Sequence, residues 1–279
     1  MNTTALTEEQ IRELPKVSLH DHLDGGLRPE TILDLAQQSG IDLPGGAPTD
    51  SAEALGQWFA TQADSGSLVE YLKTFDVTLS VMQSVEGLHR VAKEFVEDLV
   101  SDGVIYGEIR WAPEQHLEQG LRLEQAVEAV QAGLDAAVAS AEASGKNIQV
   151  GQLITAMRHN DRGMEIAELA LKYRDKGAVG FDIAGAEAGF PASKFADAFT
   201  HLANHMFPIT VHAGEADGVE SIRSALVDGR TLRLGHGVRI AEDIAALDAG
   251  DADVAGLGDV ARWVLERGIP LELSPSSNL

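Results

Sequence analysis

The sequence Val17-Ser18-Leu19-His20-Asp21-His22-Leu23-Asp24-Gly25-Gly26 predicts a β-strand that ends at a glycine pair. Since successive side chains of a strand alternate between its two faces, His20, His22 and Asp24 are expected on the same face. Burying two imidazoles and a carboxylate together is costly, and a bound zinc ion would compensate for it. Taken alone, the His-x-His pattern equally fits a strand end that carries two surface histidines.

Six more strand-like segments follow, most of them separated by helical segments. They span residues 104–111, 148–155, 179–184, 208–212, 232–236 and 269–274. The helices expected between them span residues 123–143, about 161–176, 193–205, about 218–227, 241–247 and about 260–267. Alternating strands and helices indicate parallel pairing with right-handed crossovers. Polar residues and glycines cluster where these strands end, as on the active-site face of a barrel, and no Gly-x-Gly-x-x-Gly motif supports a dinucleotide-binding sheet. We therefore predict a (β/α)8 TIM barrel that forms a single domain over residues 1–279.

The predicted barrel lacks its C-terminal part. Leu279 comes just after the seventh predicted strand, before any seventh barrel helix or eighth strand. Open edges are poorly tolerated in a parallel sheet. We therefore expect a barrel truncated after the seventh strand, which is either a fragment of a longer natural chain or is completed in another way.

Composition excludes several classes of function. The chain has 44 acidic and 21 basic residues, a net charge of −23, which disfavours nucleic acid and anionic membranes as partners. It has no cysteine, so disulfides, thiolate zinc sites and a cysteine nucleophile are excluded. Residues 1–13 do not resemble a secretory signal, and no segment approaches the ~20 apolar residues of a membrane span. We expect a cytoplasmic protein.

Two further motifs follow predicted strands. In His212-Ala213-Gly214-Glu215, the glycine permits a sharp turn that would bring Glu215 back over the space that His212 faces. A carboxylate beside a metal-bound imidazole can act as a general acid or base. In Gly235-His236-Gly237, the flanking glycines leave room around the histidine ring. Alone, Glu215 also fits a helix cap and His236 a loop histidine, but together with the first motif they suit metal-assisted hydrolysis.

The fourth predicted strand contains an acidic residue among apolar ones. Asp182 must be paired or hydrogen-bonded if it is buried, and we predict a structural pairing. The same strand, residues 179–184, contains no lysine. A carbamate that bridges two metals is therefore excluded there, which favours one metal ion over two.

Taken together, these motifs resemble those of the adenosine deaminase family, within the metal-dependent amidohydrolase superfamily. The resemblance covers nearly the whole chain. The motifs that carry it are His20-Asp21-His22-Leu23-Asp24-Gly25, Tyr106-Gly107-Glu108-Ile109-Arg110, Met157-Arg158-His159, Gly180-Phe181-Asp182-Ile183-Ala184-Gly185, His212-Ala213-Gly214-Glu215, Gly235-His236-Gly237 and Ser274-Pro275-Ser276-Ser277-Asn278.

The resemblance implies zinc-dependent deamination of adenosine, and of 2′-deoxyadenosine, to inosine or its deoxy form plus ammonia, a step of purine salvage. His20, His22 and His212 would bind a single Zn²⁺. Glu215 would protonate N1 of the purine while water attacks C6, and His236 would support that water. The partner would thus be a small purine nucleoside.

The resemblance also implies a set of substrate contacts. His22 would contact the substrate as well as zinc, Asp24 would bind the ribose, and the backbone of Gly185 would contact the purine. Adenine deaminases of the family tend to carry glutamate where Asp24 stands, which favours the nucleoside as substrate. The apolar lip over the family's pocket corresponds to Leu68, Tyr71 and Phe75.

One motif of the family has no counterpart in this sequence. The family carries two adjacent aspartates at the end of the eighth strand, one on zinc and one on the attacking water. We therefore expect the natural enzyme to be longer, and a polypeptide of these 279 residues alone to be weak or inactive.

Three other functions stay open at this point. The chain could deaminate adenine or a modified adenosine. It could instead be a histidinol-phosphatase-like metal phosphoesterase, a class that also begins with His-x-His but needs more metal ions and basic residues for phosphate. It could also be an inactive fragment that binds nucleosides.

Overall fold

A computed structural model describes residues 6–63, 72–245, 256–275 and 278. Within these residues, β-strands alternate with α-helices for most of the chain. The strands are β1 (Lys16–His22), β2 (Val104–Trp111), β3 (Gln149–Met157), β4 (Ala178–Ala184), β5 (Thr210–Ala213), β6 (Arg233–His236) and β7 (Leu271–Glu272). The α-helices are α1 (Glu8–Glu13), α2 (Pro29–Ser39), α3 (Ala52–Ala63), α4 (Phe75–Val81), α5 (Val85–Ser101), α6 (Leu123–Ala143), α7 (Gly163–Lys172), α8 (Ala196–Asn204), α9 (Val219–Val227) and α10 (Asp259–Arg267).

All seven predicted strands are present, with boundaries that shift by a few residues. One predicted helix is wrong. The segment expected as a helix over 241–247 contains a short 3-10 helix, Val238–Asp243, and its residues 246 and 247 lie outside the described part of the chain. The helix ends there because Ile244 turns to an extended conformation and forms an antiparallel bridge with Leu257.

The described residues fall into two compact units. The first comprises Met1–Thr61, Thr74–Ile109 and Gln115–Gln152, as far as these ranges are described. In it, β1, β2 and β3 lie side by side in that order. Helices α5 and α6 each bury an apolar face, because their apolar residues recur at helical spacing.

The second unit comprises Gln62–Lys73, Arg110–Glu114 and Leu153–Leu279, again as far as they are described. It contains the ends of β2 and β3, with β4 beside β3, and a parallel group in the order β5, β6, β7. A parallel bridge also joins Phe181 of β4 to Ile209, just before β5. That both units form one domain stays a prediction.

Strand register in the second unit determines which residues meet at the strand ends. Ala213 of β5 pairs with His236 of β6, so the last residues of these two parallel strands are neighbours. The turn after β6 is also joined to the end of β5, because the N–H of Gly237 donates to the carbonyl of Ala213 at 2.8 Å. Among the residues described, no helix combines the length and apolarity needed to cross a membrane.

Candidate active site

The carboxyl ends of β5 and β6 bring two histidines together. His212 and His236 are both buried, and their ring centroids are 5.4 Å apart. Ring nitrogens of the two residues lie within 4.8 Å of each other. This proximity follows from the strand register, in which His212 pairs with Gly235, so no side chain of that neighbour separates the rings.

His212 is oriented by the buried carboxylate of Asp182 on β4. Its Nδ1 lies 2.8 Å from Oδ2 of Asp182, while Oδ1 accepts the backbone N–H of Ile183 at 2.7 Å. A carboxylate on one ring nitrogen fixes the tautomer and leaves Nε2 as the available ligand atom. Asp182 is therefore paired inside its apolar strand, as predicted.

Asp182 in turn belongs to a chain of buried ion pairs. Arg110 at the end of β2 donates to Oδ2 of Asp182 at 3.0 Å and to Glu272 of β7 at 2.6 Å. Glu272 also faces Arg233, with an N–O distance of 3.3 Å. Because each buried charge has an opposite charge beside it, the cost of burial is offset. Glu272 was missed by the sequence analysis, since it lies 162 residues from Arg110.

The environment of His212 keeps its ring neutral. Burial lowers its pKa well below the usual value, and the positive charge of Arg110 lowers it further. Neutral imidazole is the form that binds metal ions. His212 therefore has the protonation state and the orientation of a metal ligand.

Glu215 lies on the turn after β5. Gly214 has φ +71°, and a Cβ there would lie 2.6 Å from Cδ1 of Ile222, so this turn requires glycine. The carboxylate of Glu215 comes back to within 3.4 Å of Nε2 of His236. Burial, followed by the negative charge of Glu187, raises the pKa of Glu215 to about 7. Such a group can both hold and release a proton at neutral pH.

His236 has a backbone conformation that is uncommon for residues other than glycine. Its φ is +65°, and burial lowers its pKa, so the ring is neutral. Nδ2 of Asn278 lies 3.1 Å from Nδ1 of His236, and the Asn278 oxygen accepts the backbone N–H of Ser274. Asn278 thus holds the Nδ1 side of the ring, and Nε2 on the other side faces Glu215.

The other two predicted metal ligands lie in the first unit, on β1. The rings of His20 and His22 have centroids 5.6 Å apart. The strand ends at His22, and Asp24 lies in a 3-10 turn, Leu23–Gly25, so the expectation that Asp24 continues the strand face is wrong. The turn nevertheless leaves Oδ1 of Asp24 4.0 Å from Nδ1 of His22.

Asp24 is buried, and burial raises its pKa to about 7. Of the three predicted lip residues, Phe75 packs edge-on against His22 at a centroid distance of 6.4 Å. Leu68 and Tyr71 lie outside the described residues.

The remaining predicted position, Gly185, follows β4 in the second unit. Its φ is +97°, and a Cβ there would lie 3.1 Å from Cε of Met157. A side chain at this position would therefore be strained and crowded, and glycine leaves the backbone accessible.

Two more charged residues, Arg158 and Glu187, are buried in the second unit. Arg158, at the end of β3, donates to the backbone carbonyls of His212 and Phe190. Glu187, three residues after β4, accepts hydrogen bonds from the turn that carries Glu215. Glu187 was not predicted from the sequence, although an acidic residue among small and apolar ones is a signal that could have revealed it.

Comparisons with known proteins point to one family. The family model described as adenosine deaminase matches residues 15–279. The adenosine deaminase of Mycobacteroides abscessus is 51% identical over 277 residues, which cover 99% of this chain and 75% of that protein. The chain thus spans about three quarters of that relative's length.

Solved structures show a similar fold. The adenine deaminase of Arthrobacter aurescens has a TM-score of 0.76 at 26% identity, covering 95% of this chain and 73% of that one. The Arabidopsis ADAL protein, solved with GMP, has a TM-score of 0.76 at 28% identity, covering 97% and 74%. These likenesses confirm the predicted α/β-barrel class, and the family match over residues 15–279 confirms the resemblance read from the motifs: the chain belongs to the adenosine deaminase family.

Proposed function

We propose that this protein is a purine nucleoside deaminase that hydrolyses adenosine, and 2′-deoxyadenosine, to inosine or its deoxy form and ammonia, as in purine salvage. The observation that carries this proposal is the pairing of Glu215 with His236 at the ends of two adjacent parallel strands. The 51% identity to a protein named adenosine deaminase supports the substrate. The predicted cytoplasmic location remains a prediction.

We propose one zinc ion as cofactor, with His20, His22 and His212 as its ligands. The donor set suits zinc, since the ring of His212 is neutral and directs Nδ1 at Asp182, which leaves Nε2 for a metal. When bound, zinc lowers the pKa of a coordinated water so that it can act as a nucleophile near neutral pH.

Glu215 would then transfer a proton, and His236 would position the water. Glu215, with a pKa of about 7, would hold a proton at neutral pH and deliver it to N1 of the purine, which makes C6 more electrophilic. His236 would orient the attacking water beside it. Water would add at C6 and give up both its protons, one to the amino group, which leaves as ammonia when the C6–N bond breaks, and one that restores Glu215. The product keeps the oxygen at C6 and the proton on N1.

The substrate contacts proposed from the sequence are His22, Asp24 and Gly185, with Leu68, Tyr71 and Phe75 as the lip. A carboxyl group such as Asp24, buried beside His22, is suited to accept a ribose hydroxyl. Gly185 is suited to present backbone groups, because its positive φ disfavours any residue with a side chain. Adenosine is favoured over adenine, because the relative named adenosine deaminase is 51% identical and the adenine deaminase structure 26% identical.

Ammonia release tests the reaction. The purified protein is incubated with adenosine, adenine and a phosphomonoester, and ammonia, phosphate and the purine products are measured. We expect ammonia and inosine from adenosine, released at a low rate by these 279 residues alone because the sequence has no counterpart of the family's aspartate pair. Phosphate release would support a phosphoesterase instead, hypoxanthine formation from adenine would support an adenine deaminase, and binding without turnover would contradict catalysis.

A variant of the proton donor tests the mechanism. Glu215→Gln cannot donate a proton, so kcat for adenosine should fall by about 10²–10⁴-fold. The affinity for a non-reacting purine nucleoside, measured by calorimetry, should change far less, because the proposed binding contacts remain. A variant that keeps more than half of the wild-type kcat would contradict this role.

A further inference from the structure

Glu187 has an unusually rich set of hydrogen-bond donors for one carboxylate. It lies three residues beyond β4 and only 4% of it is exposed. Its two oxygens accept the backbone N–H groups of four consecutive residues that form the turn 214–217. The donors and N–O distances are Gly214 (2.5 Å), Glu215 (3.1 Å), Ala216 (2.8 Å) and Asp217 (2.9 Å).

A fifth donor ties the same carboxylate to the next helix. The hydroxyl of Ser221, in the first turn of α9, donates to Oε1 of Glu187 at 2.5 Å. Burial alone would raise the pKa of Glu187, but the hydrogen bonds from Ser221 and from the backbone outweigh it and lower the pKa. Glu187 therefore stays ionised, and hydrogen bonds to an ionised acceptor are the stronger kind.

The turn 214–217 begins just after Ala213, the last paired residue of β5. Its backbone N–H groups are therefore beyond the strand pairing and bond to Glu187 instead. Backbone N–H groups that the strand no longer pairs need other acceptors, and a single side chain supplies one for each residue of the turn. The second residue of the turn is Glu215, whose carboxylate must reach Nε2 of His236 at 3.4 Å. Fixing the backbone of Glu215 therefore fixes where its side chain can reach.

We propose that Glu187 is a positioning residue for catalysis, which holds the turn 214–217 so that Glu215 is placed to transfer its proton. This inference rests on the proposed deaminase function, in which Glu215 is the proton donor. Glu187 acts through Glu215 and through no contact of its own with the substrate. Displacement of a reacting group by about 1 Å can cost about 10²-fold in rate.

A double-mutant cycle tests the inference. Glu187→Gln keeps the size of the side chain but replaces one acceptor with an N–H₂ donor that faces backbone donors. We expect kcat for adenosine to fall by about 10–10²-fold, with KM changed much less. If Glu187 acts through Glu215, adding Glu187→Gln to Glu215→Gln should produce no further loss.

Two controls separate positioning from general damage. Glu220→Gln removes the same charge from α9, where the side chain is 84% exposed, and should leave kcat unchanged. Ser221→Ala removes one of the five donors and leaves the four backbone bonds, so its loss should be smaller than that of Glu187→Gln. Thermal unfolding and zinc content of each variant show whether it is folded and loaded.

If Glu187→Gln does not fold, Glu187→Asp replaces it in the cycle. The shorter side chain keeps the charge but cannot reach all four backbone groups, so kcat should again fall and the loss should again vanish on the Glu215→Gln background. A folded variant with wild-type kcat, or losses that add in the double variant, would overturn the inference. Absence of ammonia release by the wild-type protein would instead refute the proposed function.

Discussion

At the residue scale, buried carboxylates of the second unit are stabilised in different ways. Asp182 and Glu272 face the guanidinium of Arg110, whereas Glu187 accepts five N–H and O–H donors. Glu215 instead faces His236, and its pKa is raised to about 7. Glu215 therefore changes protonation near neutral pH, which suits the group proposed to move a proton and is typical of catalytic sites.

The sequence predicts that a buried charge is paired more readily than it predicts which residue pairs with it. Asp182 was expected to be paired because an isolated charge inside an apolar strand is costly. Its partner Arg110 lies 72 residues away, and no local pattern connects the two. Glu187 was missed for a related reason: its donors come from a turn about 30 residues later, whose backbone conformation is known only from the fold.

The lowered pKa of His116 predicts how the free energy of unfolding depends on pH. Its side chain is fully buried, and burial lowers its pKa from 6.5 to about 4, against the opposing hydrogen bond to the carbonyl of Met82. Between these values the unfolded chain binds the proton more strongly. The stability that depends on a neutral His116 is therefore present above pH 6.5 and is lost as the pH falls towards 4. The free energy of unfolding should decrease by about 2 kcal/mol between about pH 7 and about pH 5.

Urea unfolding at about pH 7 and about pH 5 measures this effect. His116→Gln stays neutral and can still donate to Met82, so its stability should fall less than that of the wild type on acidification. His205→Gln, at an exposed histidine, should follow the wild type. Equal pH dependence of His116→Gln and the wild type would show that His116 is not the group responsible.

At the element scale, periodic segments were predictable and irregular ones were not. Helix α6 has the predicted bounds, Leu123–Ala143, because its alanine-rich sequence repeats apolar residues at helical spacing over many turns. The segment after β6 was not predictable, because Val238–Asp243 forms a 3-10 helix between a glycine in the left-handed region and an extended residue. Both ends depend on tertiary pairing rather than on local preference.

Close packing of α5 and α6 at Gly133 yields a prediction about these elements. A Cβ at Gly133 would lie 2.3 Å from the backbone oxygen of His89 and 2.9 Å from Cβ of Ala92. Gly133→Ala should therefore force the helices apart. Overpacking destabilises a protein by about 1–3 kcal/mol, and the better helix propensity of alanine offsets at most about 1 kcal/mol of this. The free energy of unfolding should therefore decrease.

Gly56→Ala on α3 is the matched control for this prediction. There the new Cβ would lie 3.6 Å from Cγ of Pro29, an ordinary contact, so alanine should stabilise the protein by up to about 1 kcal/mol. Denaturant unfolding of both variants checks the opposite signs. A Gly133→Ala protein as stable as the wild type would mean that the helices adjust without cost.

At the scale of the whole molecule, charge is distributed unevenly. The chain carries a net charge of −23, yet Arg110 and Arg158 are among its fully buried side chains. Their positive charges meet buried carboxylates and carbonyl groups rather than solvent. The acidic excess would repel ligands that carry several phosphates, whereas an uncharged nucleoside is not repelled, which agrees with the proposed substrate.

Zinc removal gives a prediction for the whole molecule. A metal ion that binds the folded chain and not the unfolded one stabilises it, by about 4 kcal/mol when free metal is about 1,000 times the dissociation constant. Dialysis against a chelator should therefore lower the unfolding temperature by several degrees and abolish ammonia release, and added zinc should restore both. His212→Ala removes a proposed ligand, so chelation should shift its unfolding temperature much less. If chelation leaves the wild-type protein unchanged, or shifts His212→Ala equally, then His212 does not bind a stabilising metal ion.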